Sequence, residues 1–182
     1  MRLFRSKERK LSDRLKKEAI GLGLCGKWTS EWTDDTTRDE LVDKFVNGID
    51  FCVQHDWPST EVMKKSFGDV IHKHGVYVDE NVNKEDPDTL VLNGRCDGRI
   101  TCGMFSIGNI YVRHKSHARV RVKDFAYVHI SVYDDADVEV YCERGAKCFV
   151  YQYGGKVTAT GSVTIRKRNL SDIQERTINE DE

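Results

Sequence analysis

Three kinds of residue in this chain of 182 residues could do chemistry: a glycine and lysine loop, dispersed carboxylates and imidazoles, and a crowd of late aromatic side chains. Gly21-Leu-Gly-Leu-Cys-Gly26-Lys27 has the spacing of a phosphate loop, in which backbone N–H groups and a lysine cradle phosphates. Trp28 stands where a Ser or Thr hydroxyl would hold magnesium, and a charged helix-like run stands where a buried strand should aim the lysine. Nucleotide hydrolysis is therefore not expected, and Gly26 reads as the end of a first helix.

The carboxylates and imidazoles give no better constellation. Acid/base work on a glycoside needs carboxylates at a set separation around a groove, whereas adjacent Asp134 and Asp135 read as a turn and Glu139 stands alone. Asp50, Asp56 and Asp69 are scattered over helical surface. His72 and His74, two apart, point in different directions on a helix, and His114 with His117 lacks a third ligand. Cys96 to Cys102 and Cys142 to Cys148 are each separated by five residues, too far for a metal knuckle. No catalytic residue, metal or cofactor is expected, and the six cysteines are expected to be reduced.

The aromatic residues belong to a repeat that organises the chain from Ile107 to Arg166. Short units open on alanine at Ala118, Ala126, Ala136 and Ala146, and every second residue is small or apolar, which is strand period. Weaker copies flank them at Ile110-Tyr-Val112, Val157-Thr-Ala159 and Val163-Thr-Ile165. Lys123-Asp124, Asp134-Asp135, Glu143-Arg-Gly145 and Gly154-Gly155 supply the turns. Two architectures fit, a parallel β-solenoid and an antiparallel meander or sandwich. The alanine series favours the solenoid, because parallel coils stack equivalent residues into ladders and a tight inner corner wants a small one. The eight-residue step from Ala118 to Ala126, against ten for the next two, is its irregularity. With Val, Ile, Ala and Cys assigned to the core, function falls to the outward positions. Three residues after each alanine lie Arg121, His129, Glu139 and Phe149. Five after lie Lys123, Ser131, Tyr141 and Tyr151. With Tyr127, Tyr133 and Tyr153 these predict an outward aromatic patch of Tyr127, Tyr133, Tyr141, Phe149, Tyr151 and Tyr153, a contact surface unless the helices cover it.

The elements ahead of the repeat are helical. Residues 1–18 form a basic arm or helix, carrying Arg2, Arg5, Lys7, Arg9, Lys10, Arg14, Lys16 and Lys17 against Glu8 and Asp13. Residues 19–80 form a helical subdomain. Trp28 and Trp32 precede Thr37-Arg-Asp-Glu40, a capping box opening a second helix. Its apolar face is Leu41, Phe45, Ile49 and Cys52 with Val42, Val46 and Val53, and Trp57-Pro58 ends it. Ser59 caps a third helix, faced by Val62, Met63, Phe67, Val70 and Ile71 and stopped by Gly75. Residues 81–98 read as a polar connection in which Leu90-Val-Leu92 opens the β part. Residues 99–168 are the solenoid, and residues 169–182 a charged tail that either caps the last coil or is disordered. The fold expected is thus α+β, a small helical subdomain followed by a short parallel β-solenoid.

Asp50-Phe-Cys52, the helices around Pro58 and Ser106-Ile-Gly-Asn-Ile-Tyr-Val-Arg113, followed by the alanine-led units, resemble a recurrent group of uncharacterised proteins of gut Bacteroidales and their bacteriophages. The resemblance spans most of residues 19–166 and implies a bacterial or phage setting without assigning any functional residue. The repeats are also similar to bactofilins, whose solenoid cores polymerise end to end, though the helical part departs from that pattern. A net charge of −1 shows no global nucleic-acid or membrane bias. The expectation is a non-enzymatic interaction or assembly module, binding a protein partner or itself through the outward face of the β-repeats. The alternatives are a phage regulator or counter-defence factor touching nucleic acid or a host protein, and a carbohydrate-active β-helix enzyme using Asp134, Asp135 or Glu139. The expected location is the cytoplasm of a bacterium or infected host cell, or a virion, with no membrane partner.

Overall fold

The computed structural model describes residues 2–173, and residues 2–7 by their backbone alone. It divides into two compact units, Met1–His74 and Gly75–Glu182. Residues 174–182, most of the expected tail, lie outside the described residues.

The first unit holds α1 (Arg2–Gly21), α2 (Gly26–Ser30), α3 (Arg38–Asn47), α4 (Ile49–Gln54), α5 (Thr60–Phe67) and a 3₁₀ helix (Gly68–His74). The basic arm is not separate from this unit, because α1 buries Ser12, Leu15 and Ala19. Its end falls earlier than Gly26. Leu24 N–H donates to the Ala19 carbonyl and Gly23 N–H to that of Ile20, with Gly23 at φ 96°, a Schellman ending that needs a residue free to take positive φ. Gly26 instead opens α2.

The capping box forms as expected. Glu40 N–H donates to Thr37 Oγ1, Thr37 N–H donates to Glu40 Oε2, and that backbone donor holds the Glu40 carboxyl below the usual range. The helix it opens is broken in two at Gly48, yet the predicted face survives the break: Leu41, Val42, Phe45, Ile49, Cys52 and Val53 are all buried. Trp32 packs on α1 through an Nε1–H bond of 2.9 Å to Ser12 Oγ, while Trp28 lies under Lys44 of α3.

In the second unit, among the described residues, eleven strands form a parallel β-solenoid: β1 (Val76–Val78), β2 (Asn81–Glu85), β3 (Thr89–Asn93), β4 (Asp97–Cys102), β5 (Ile107–Val112), β6 (His117–Val122), β7 (Tyr127–Val132), β8 (Asp137–Cys142), β9 (Lys147–Gln152), β10 (Lys156–Gly161) and β11 (Val163–Lys167). Odd strands make one sheet and even strands the other, with every pairing parallel. The central register advances by twenty residues per coil: Ile107 faces Tyr127, which faces Lys147, while Asp97 faces His117, which faces Asp137. Coils at the ends are shorter. The solenoid begins at Val76, so the stretch expected to be a connection is its first coil, shaped by a polar sequence with buried Val82, Leu90 and Leu92.

Alternation decides which side chains face in. Val128, Ile130 and Val132 of β7, and Val138, Val140 and Cys142 of β8, are 2% exposed or less, and they join one core between the sheets. The alanine series is two corner ladders rather than one. Asp137 N–H donates to Ser116 O and Lys147 N–H to Ala126 O, so Ala136 stacks on Ser116, and Ala146 on Ala126. Ala118 is not at a corner. It faces Gly98 and Val138 within the even sheet, and Ser116 holds its expected place, which removes the eight-residue irregularity. A Cβ on Gly98 would come within 2.7 Å of Leu92 Cδ1, so the first inward position of this early coil stays small.

Candidate outer-face interaction site

Because successive strands alternate between sheets, residues ten apart emerge on opposite faces and only residues twenty apart stack. That geometry splits the six predicted aromatic residues three ways.

On the odd sheet, Tyr127, Phe149 and Tyr151 gather around His129. Ring centroids lie 5.1 Å from His129 to Tyr127, 5.6 Å to Phe149 and 5.8 Å to Tyr151, all edge-on, and Tyr127 and Phe149 are 5.4 Å apart. Edge-to-face contact sets the positive ring edge against the negative face, at about 0.5–1.5 kcal/mol per pair beyond area burial. Burial among these rings lowers the His129 pKa, because the neighbours solvate the neutral imidazole better than the imidazolium. The result is a half-exposed cluster of uncharged rings, with Lys147 in register beside Tyr127 and Arg166 beside Tyr151.

Tyr141 emerges on the even sheet, where Arg121 lies 5.9 Å from its ring. Around it the face is ionic. His117 sits 3.7 Å from Asp97 and 3.6 Å from Glu139, Arg119 lies 3.6 Å from Glu139, and Arg121 donates to Glu143 at 2.6 Å. Tyr133 and Tyr153 are at neither face. They stack at a corner with centroids 4.8 Å apart, and Tyr133 is only 2% exposed, which corrects its assignment as an outward contact residue. Tyr133 follows the last residue of β7, so it belongs to the turn and not to the alternation. Arg113 and Asn93, one and two coils earlier, are buried too, with Arg113 Nη1 donating to Asn93 Oδ1 at 3.2 Å.

Two of the candidate acid/base residues, Asp134 and Glu139, make contacts within the solenoid. Asp134 Oδ2 accepts from His114 N–H at 2.9 Å, and His114 Nδ1 accepts from Gly94 N–H at 2.9 Å, so the two side chains cap successive turns. Glu139 is shared between His117 and Arg119. Cys102 and Cys148 lie buried, with burial pushing the thiols up to about 11 and about 12, which leaves them protonated and poorly nucleophilic. The Gly21 to Lys27 loop follows a helix of 20 residues rather than a strand, so no scaffold aims Lys27 at a phosphate.

One cluster escaped the sequence reading. His74 Nε2 lies 3.2 Å from Asp39 and Nδ1 2.8 Å from Asp43, which share one face of α3 at a four-residue spacing. The two carboxylates lie against opposite ring nitrogens, with the Nδ1 approach the shorter. In the same unit Lys10, Arg14, Arg38 and Lys65 line a cavity of about 380 Å³ with Leu11 and Ser66. Three of these cations are already matched, Arg14 by Glu18, Arg38 by Glu8 and Lys65 by Glu61, which weakens the field left for an anion.

The sequence reading also missed four apolar side chains beside the corner leading from the even sheet to the odd one. Met104, Phe105, Ile107 and Phe125 are 64–78% exposed, and the rings of Phe105 and Phe125 stack at 5.6 Å. The available signal was Phe recurring twenty residues apart in turns where Gly or a polar residue is expected.

No helix among the described residues is long and apolar enough to cross a membrane. Comparison with protein-family models, with curated proteins and with solved structures finds no match.

Proposed function

We propose that this protein is a non-enzymatic interaction module in which the solenoid presents a stiff plate, Tyr127, His129, Phe149 and Tyr151, to a protein partner. The observation that carries this reading is the edge-on ring cluster on a parallel sheet. Large rigid rings with few rotatable bonds lose little entropy on contact, and rings of this kind are enriched among interface anchors. Asp134 is occupied by a turn and Glu139 by ion pairs, which supports a binding role over a hydrolytic one. The bacterial or phage setting implied by the sequence resemblance fits such a module and directs the search to bacterial proteins.

The experiment compares three full-length proteins as baits in bacterial lysate: wild type, Phe149→Ala with Tyr151→Ala, and Tyr141→Ala. Partners retained by wild type and Tyr141→Ala but lost by the double variant are expected, with thermal unfolding of all three within a few degrees. Equal retention by all three sinks the assignment of the odd face. A large loss of melting temperature in the double variant shows that the rings serve the fold instead.

A further inference from the structure

The corner from the even sheet to the odd sheet is built against backbone preference. Each coil closes there with a turn bonded between its first and last residues, Ser106 N–H to Gly103 O at 2.8 Å and Ala126 N–H to Lys123 O at 2.9 Å. Both middle residues have positive φ: Met104 50° and Phe105 63° in one turn, Asp124 49° and Phe125 63° in the next. Such turns favour Asn and Gly, and a bulky residue there is strained against its Cβ. The next coil shows the relaxed solution, because Gly145 occupies the equivalent position at φ 98°, under the Phe125 ring. Two coils thus hold an exposed phenylalanine where glycine would fold better.

Charge is ordered around these rings along the coil axis. The coil before Phe105 carries Glu85 and Asp88. The coil after Phe125 carries Arg144 and Lys147. All four are exposed, and none has an ion-pair partner among the described residues. Lys123 and Asp124, in between, neutralise each other at 3.1 Å. The corner therefore reads acidic, apolar, apolar, basic over three coil steps, roughly 14 Å at strand spacing.

We propose that this corner is a self-association surface, on which a second copy of the chain docks side by side and antiparallel about a two-fold axis passing between Phe105 and Phe125. The two-fold brings Glu85 and Asp88 of each copy opposite Arg144 and Lys147 of the other, and it sets the paired phenylalanines and Met104 against their equivalents in the centre. A self-complementary patch of this kind closes after two copies. This surface adjoins the plate around His129, since Lys147 stands in register with Tyr127, and the Phe149→Ala, Tyr151→Ala variant below separates the two.

The test measures absolute mass in solution with full-length protein at about 100 μM, a hundredfold above a micromolar dissociation constant. Wild type is expected at twice the chain mass. Phe105→Gly with Phe125→Gly removes both rings while relieving the turns, so it should weaken association at least about 30-fold with a melting temperature unchanged or raised. Charge reversal gives an independent reading. Glu85→Lys with Asp88→Lys, and separately Arg144→Glu with Lys147→Glu, should each give monomers, while an equimolar mixture of the two should restore the dimer. The Phe149→Ala, Tyr151→Ala protein should stay dimeric. A monomeric wild type, a dimer indifferent to the glycine pair, or a mixture that stays monomeric overturns the proposal.

Discussion

The two outer faces of the solenoid are cut from the same repeat and have opposite chemistry. The odd sheet shows rings around a half-buried histidine, and the even sheet shows a lattice of Asp97, His117, Glu139, Arg119, Arg121 and Glu143. Most charged side chains in the middle of the even face have a countercharge one coil away or beside them, so that face is largely satisfied by its own sheet. The rings have no such closure, and their outer surfaces are left to something else. A twenty-residue coil with two strands makes this segregation possible, because each face samples only alternate ten-residue units. The lesson is that an average over repeats hides the site, and the parity of the unit reveals it.

This comparison can be broken from the inside first. Ile130 is fully buried beneath the odd face, so Ile130→Ala should cost about 2–5 kcal/mol and lower the melting temperature more than any outward substitution on either face. A loss no larger than that of Tyr151→Ala would mean that the faces, and not the core, hold the coils together.

The pH response sharpens the contrast next. His129 has a folded pKa below its unfolded value, so above the ordinary histidine range both states are neutral and stability is complete. As pH falls through about 6.5 the unfolded chain takes up the proton first, and stability declines. Thermal unfolding followed from about pH 7.5 to about pH 5.5 should show a decline in wild type that His129→Asn lessens. Identical profiles would place His129 in water rather than among rings.

The smallest effect is expected on the ionic face. Arg119→Ala or Glu139→Ala should shift stability by less than about 0.5 kcal/mol, because side chains half exposed to water and salt contribute little as ion pairs. Denaturant midpoints in low and high salt should agree between wild type and variant. A large, salt-dependent change would make the even face a structural element and undo the contrast.

Much of the fold was legible in the chain. Alternation in the units from Ala126 to Val150 gave strand period, and regular spacing left a solenoid and a meander both open; the alanine series pointed to the parallel solenoid that forms, though Ala118 is not at a corner. Thr37 with Glu40 and Ser59 marked two helix starts correctly, since capping is a contact between residues three apart. Gly48 was not read as a break, because the apolar spacing runs on through it from Phe45 to Ile49 and Cys52. The first coil was missed for the opposite reason: Asn81 to Glu85 is polar outside, and only Val82 shows the core. Of the candidate site, Tyr127, Phe149 and Tyr151 were found, whereas Tyr133 was placed outward because alternation was carried one residue past the end of its strand.

What the sequence determined by itself was therefore everything governed by neighbours along the chain: strand period, small corner residues, helix caps, and the presence of outward aromatic residues. Tertiary structure alone decided how many residues make a coil, and hence that Tyr141 and Tyr151 stand on opposite faces while Tyr127 meets Phe149. It also decided that Phe105 and Phe125 stack in the open and that His74 finds Asp39 and Asp43. The physical reason is that alternation is enforced within each strand by local sterics, whereas the advance per coil is set by which backbone donors and acceptors meet twenty residues later. No short window of sequence contains that pairing.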